Sequence, residues 1–67
     1  MTKFQDFYGN VRVKDAESVR KAVQSDCGIS DQSFRNWAGG VFEPDSRWWS
    51  ILNGVAERFG YGKIYVL

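Results

Sequence analysis

Histidine is missing from this sequence altogether, and cysteine occurs once, at Cys27. Together those absences remove the usual nucleophile–base pairs and the nitrogen–sulfur ligand sets of transition-metal sites. A single cysteine also rules out an intrachain disulfide, which fits a reducing compartment. No apolar run approaches the length of a membrane span. The opening MTKFQDFYGN has no long apolar centre of the signal-peptide kind. The expected location is therefore the cytoplasm, with no membrane partner.

An excess of one charge is the next thing lacking. Nine Lys and Arg face eight Asp and Glu, a formal net charge of +1. Nucleic-acid binding draws much of its affinity from phosphate neutralisation, and strongly basic domains advertise it. If this chain binds DNA, its charges must be sorted onto one face, or dimerisation or a partner must add affinity. The carboxylates are scattered singly, mostly at expected helix starts, where capping accounts for them. Gly60-Tyr61-Gly62 has no strand before it and no helix after it, so it is not a phosphate loop. We read no enzyme here: no catalytic residues, no metal site and no small-molecule cofactor.

What the chain does have is aromatic mass: three Trp, three Tyr and five Phe among 67 residues. A single domain this small buries a modest fraction of its surface, and large rings fill a small core efficiently.

The organising stretch is Val19–Gly40. It reads as one helix, a tight turn at Cys27-Gly28-Ile29-Ser30, and a short second helix, Asp31–Ala38, stopped by Gly39-Gly40. Two helices joined by so short a turn are a helix-turn-helix. The first helix is expected from Ala16 to Asp26, capped by Asp15, with Val19, Ala22, Val23 and Cys27 as its buried stripe. Cys27, in that stripe, is a small core residue rather than a nucleophile. Gly28 supplies the positive φ that ends the helix. Ser30 caps the next one, which buries Phe34 and Trp37.

On either side the pattern is less uniform. Phe4, Phe7, Tyr8 and Val11 make a helical stripe, whereas Gly9-Asn10 is turn chemistry and Val11–Lys14 alternates like a strand. Residues 1–14 are thus an N-terminal helix or an extension, with the helix preferred. After the connector at Pro44, Asp45 caps a helix expected over Ser46–Phe59. Its stripe is Trp48, Ile51, Leu52, Val55 and Phe59, with Ala56 at the margin and Trp49 at the edge, as packing or as a partner surface. Residues 63–67, KIYVL, are β-branched and aromatic and predict a short strand-like tail. The expected architecture is a mainly α, four-helix bundle in one domain: residues 1–14, a helical core 15–59 and a tail 60–67.

The helix Asp31–Ala38 carries the functional expectation. Gln and Asn pair bidentately with adenine, and Arg with guanine. Gln32, Arg35 and Asn36 are that inventory and are the expected base contacts. Ser30, at the helix start, and Arg20 and Lys21, on the helix before, are the expected contacts to the DNA backbone. Asp31 repels phosphate, and capping accounts for its presence.

Gly28-Ile29-Ser30, then Phe34 and Trp37, then Gly40, Pro44 and a helix ending in Phe59-Gly60 together resemble the phage-repressor family, the lambda-repressor-like and Cro-like helix-turn-helix domains. The resemblance covers residues 19–60. It departs at Gln24, where that family usually places Ala between the touching helices. The resemblance implies sequence-specific binding of double-stranded DNA, as a homodimer, in transcriptional control of a phage or mobile element. Two alternatives use the same fold. One is a protein-interaction module: an adaptor, an anti-regulator or a phage structural subunit. The other is a subunit whose terminal strand pairs across a two-fold axis.

Overall fold

Thr2 opens the first helix. Its hydroxyl accepts from the Gln5 amide at 3.0 Å, a cap of the kind that contributes about 1 kcal/mol. The computed structural model describes residues 1–67 and holds four α-helices and no strand: α1 (Lys3–Gly9), α2 (Val13–Cys27), α3 (Asp31–Ala38) and α4 (Trp49–Arg58). The chain is thus a mainly α bundle. Residues 3–9 resolve the N-terminal ambiguity in favour of a helix. Asn10 ends it, its side-chain amide donating to Asp6 O, and Val11 turns inward while Val13 is 94% exposed.

Helix α2 begins at Val13, earlier than the sequence suggests, and Asp15 is not its cap. The carboxylate has better partners. Tyr61 Oη donates to it at 2.7 Å and Arg12 Nε at 3.2 Å. The Tyr61 hydrogen bond is the main reason its carboxyl titrates below the ordinary value. Val19, Val23 and Cys27 form the buried stripe. Burial pushes the Cys27 thiol up to about 11, so it stays protonated and inert.

At Gly28 the backbone turns left-handed, φ 67°, and the Ile29 amide reaches back to Gln24 O. This is the glycine stop expected there. Ser30 then caps α3 by accepting from the Ser33 amide at 3.1 Å. Phe34 and Trp37 face inward, where α1 meets them. The Phe4 ring stands edge-on to both, with centroids at 6.0 and 5.8 Å, and Tyr8 stands edge-on to Phe34 at 5.0 Å.

Asp45 caps the last helical segment, its carboxylate accepting from the Arg47 amide at 3.0 Å. The first turn, Ser46–Trp48, is 3₁₀, and the α-helix proper starts at Trp49. Leu52, Val55 and Ala56 are fully buried against α2 and the rest of the core. A buried Leu or Val contributes roughly 1.5–3 kcal/mol.

The tail departs most from expectation. Residues 63–67 form no strand. Positive φ at Gly60 and Gly62 turns the chain back over α4, and one buried side chain holds it there. Asn53 Oδ1 accepts from the amides of Ile64 and Tyr65 at 2.8 and 2.9 Å, and Asn53 Nδ2 donates to Tyr65 O at 2.9 Å. A side-chain amide has taken the place of the neighbouring strand. Tyr65 is thereby buried flat against Trp49, at 4.6 Å and 2°. Its hydroxyl donates to Glu43 Oε2 at 2.6 Å. Trp49 is therefore packing, and its indole N–H is satisfied by Pro44 O at 2.9 Å.

Glu43 is the knot of this end. Besides Tyr65, it accepts from the amides of Lys3 and Phe4 at 2.8 and 3.1 Å. It occupies the positive end of α1 from a loop some forty residues away, where a carboxylate is favoured. Three separated segments, the start of α1, the connector and the tail, are thus joined through one side chain.

Candidate nucleic-acid interface

Burying Phe34 and Trp37 leaves the other side of α3 to polar groups. Gln32 and Arg35 are exposed and Asn36 is half-buried. Their spacing of three and four residues sets them on one stripe. Gln32 Nε2 donates to Asn36 Oδ1 at 3.2 Å, which fixes both amides side by side. Ser30 Oγ is engaged in the cap and also donates to Ser33 Oγ at 3.2 Å.

Arg35 does not stand alone. Asp31, one turn earlier, pairs with Arg35 Nε at 2.9 Å. The other oxygen of the same carboxylate accepts from Arg20 Nη1 and from Gln24 Nε2, both at 3.3 Å and both on α2. Arg20 Nη1 in turn donates to Gln24 Oε1 at 2.7 Å, and Arg20 is also bonded to Glu17. That last bond holds the Glu17 carboxyl below its ordinary value and lifts Arg20 above its own. Tyr8, Phe34 and Ala38 line the apolar side of the shallow groove between these two arginines. Lys21 lies farther along α2 and pairs only with Glu17, at 3.8 Å.

The structure therefore brings Arg20 and Arg35 together across the corner, and leaves Lys21 to one side. It also answers the question of charge sorting. Arg20, Lys21 and Arg35 face Glu17 and Asp31, so this face carries one net positive charge. The cations in no ion pair lie elsewhere, at Lys3, Lys14, Arg47 and Lys63. These pairs are exposed, Arg35 at 71% and Asp31 at 47%, and exposed pairs contribute about 0–1 kcal/mol each. A ligand can displace one at small cost.

Gln24 and Asp31 are members of the site beyond those expected from the sequence. The pairs Glu17–Arg20, Arg20–Gln24 and Asp31–Arg35 follow from helical spacing and were readable. The bridge from Arg20 to Asp31 crosses the turn and needs the fold. Gln24 is where a small residue would let the helices meet; its long amide instead spans them.

No group of three or more Cys, Asp or Glu side chains is placed to hold a metal ion. No helix is long and apolar enough to cross a membrane. Comparison with known proteins returns no match: no family model fits the chain, and no curated protein or solved structure aligns with it.

Proposed function

We propose that the protein is a small sequence-specific binder of double-stranded DNA, a regulator of transcription that reads bases with α3. The observation that carries this reading is the division of that helix. Phe34 and Trp37 pin one side into the core, and the opposite side presents Gln32, Arg35 and Asn36. Those are the side chains able to read adenine and guanine in the major groove. Arg20 and the amide-rich start of α3 at Ser30 flank them, in reach of the neighbouring phosphates. One short helix reads few base pairs, so two copies on a two-fold axis supply the remaining affinity.

Selection from random duplex DNA, followed by a salt titration, tests this. With Arg20 and Lys21 as the phosphate-facing cations, log K falls against log salt with a slope of roughly −2 per protomer. Failure to enrich any sequence would contradict the proposal.

A second reading rests on a different observation. Val41 and Phe42, directly after α3, are 69% and 50% exposed, beside a groove lined by Ile29, Trp37 and Trp48. Combined with the weak charge of the α3 face, they favour a protein-interaction module on the same fold. This reading takes over if no duplex is enriched.

A further inference from the structure

We propose that Asp31 is a positioning residue that sets base specificity by fixing the guanidinium of Arg35; this rests on the DNA reading above. The argument begins with a contradiction. Asp31 stands on the reading helix with a charge that repels phosphate, and Ser30 already supplies the hydroxyl that caps that helix. Capping therefore does not account for where the carboxylate points.

It points at two arginines. One oxygen pairs with Arg35 Nε at 2.9 Å, and the other receives Arg20 Nη1 and Gln24 Nε2 at 3.3 Å. Gln24 and Arg20 sit on α2, so the carboxylate is tied to the neighbouring helix and not only to its own. Arg35 is thus ion-paired at its inner nitrogen. Its two terminal nitrogens make no hydrogen bond within the protein, and the side chain is 71% exposed. Those two nitrogens form the fork that meets N7 and O6 of guanine. An arginine on a flexible stem loses rotamer freedom when it docks; one already drawn to a carboxylate at Nε loses less.

The same carboxylate works against indiscriminate binding. It offsets the charge that a phosphate would seek at Arg20 and Arg35, so it lowers affinity for every sequence. Guanine placed against the fork recovers that loss through two directed hydrogen bonds, and an unmatched base does not. Asp31 therefore trades general affinity for discrimination.

Asp31→Asn tests this without removing the side chain's shape. The probes are the duplex recovered by selection, the same duplex with each G·C pair changed in turn, and an unrelated duplex of equal length. Wild type is expected to discriminate against loss of one particular guanine. Asp31→Asn is expected to lose at least about fivefold of that discrimination, the lower end for a bidentate pair, while binding the unrelated duplex as tightly as wild type or more tightly. Arg35→Lys keeps the charge and lacks the fork. It should lose the same discrimination, and adding Asp31→Asn to it should lower discrimination no further. That double-mutant comparison does not depend on the stability of either variant. A uniform rise in affinity with discrimination intact would make Asp31 a mere counter-charge and overturn the inference alone. A wild-type protein that selects no duplex would overturn both the inference and the function it rests on.

Discussion

Two polar clusters in this molecule use similar side chains to different ends. At the corner of α2 and α3, Glu17, Arg20, Gln24, Asp31 and Arg35 form an exposed chain of ion pairs and amide contacts. At the other cluster, Asn53, Tyr65 and Glu43 join the tail, α4 and the start of α1. Here Asn53 and Tyr65 are 3% and 1% exposed, and no buried side-chain polar atom lacks a partner. The first cluster lies at the surface, and its pairs contribute about 0–1 kcal/mol each. Losing a group from the second strands its partners in the core, at roughly 1–3 kcal/mol per orphaned group. Burial, more than residue type, separates a surface fit to bind from a latch fit to hold.

Breaking the latch should produce the largest effect. Asn53→Ala orphans two amides and a carbonyl of the tail and frees the Tyr65–Trp49 stack. A loss of about 3 kcal/mol or more is expected, a large part of the total for a domain this small. Thermal unfolding followed by tryptophan fluorescence reads it, with a fall in midpoint of at least about 12 °C. A fall of only a few degrees would mean that the tail is not latched through this residue.

A pH titration probes the same latch more gently. Partial burial opposes the charge of Glu43. The hydrogen bonds from Tyr65 Oη and the amides of Lys3 and Phe4 outweigh it and hold the carboxyl below its ordinary 4.5. A depressed carboxyl gives stability that is complete above the unfolded value and is lost as pH falls through the folded one. Stability should therefore be flat above pH 5 and decline below about 4.5. Glu43→Gln should lower the plateau and make the decline shallower. It should not abolish the decline, because Asp15 and Glu17 are depressed too, by hydrogen bonds from Tyr61 and Arg20 respectively.

The two clusters also differ in how far the sequence discloses them. The helices, the stops at Gly28 and Gly40 and the core stripe of α2 follow from local spacing. So does the inventory on α3, because its side chains are neighbours along one helix. The latch follows from nothing local. Asn53 is no member of the apolar stripe expected for α4; it is buried because the tail covers a second side of that helix. The tail reads as a strand by composition, yet Gly60 and Gly62 turn it onto α4, where a side-chain amide satisfies its backbone. Asp15 departs from its expected capping role for a related reason. Its cap geometry was plausible locally, but the hydroxyl of Tyr61, 46 positions away, holds the carboxylate instead. At the corner, the Arg20–Asp31 bridge was hidden in the same way, because it depends on how α2 meets α3.

The smallest expected stability change belongs to the corner, and there binding is the decisive readout. Arg35→Ala combined with Asn36→Ala should move the unfolding free energy by about 0.5 kcal/mol or less, since both are surface positions outside the core. Equilibrium titration of that double variant against the duplex selected by wild type tests the central claim most directly. The account predicts a loss of at least tenfold in affinity, from removal of two base-reading side chains at roughly 1–3 kcal/mol each, with thermal stability retained. Unchanged affinity for that duplex would contradict the assignment of α3 as the reading helix.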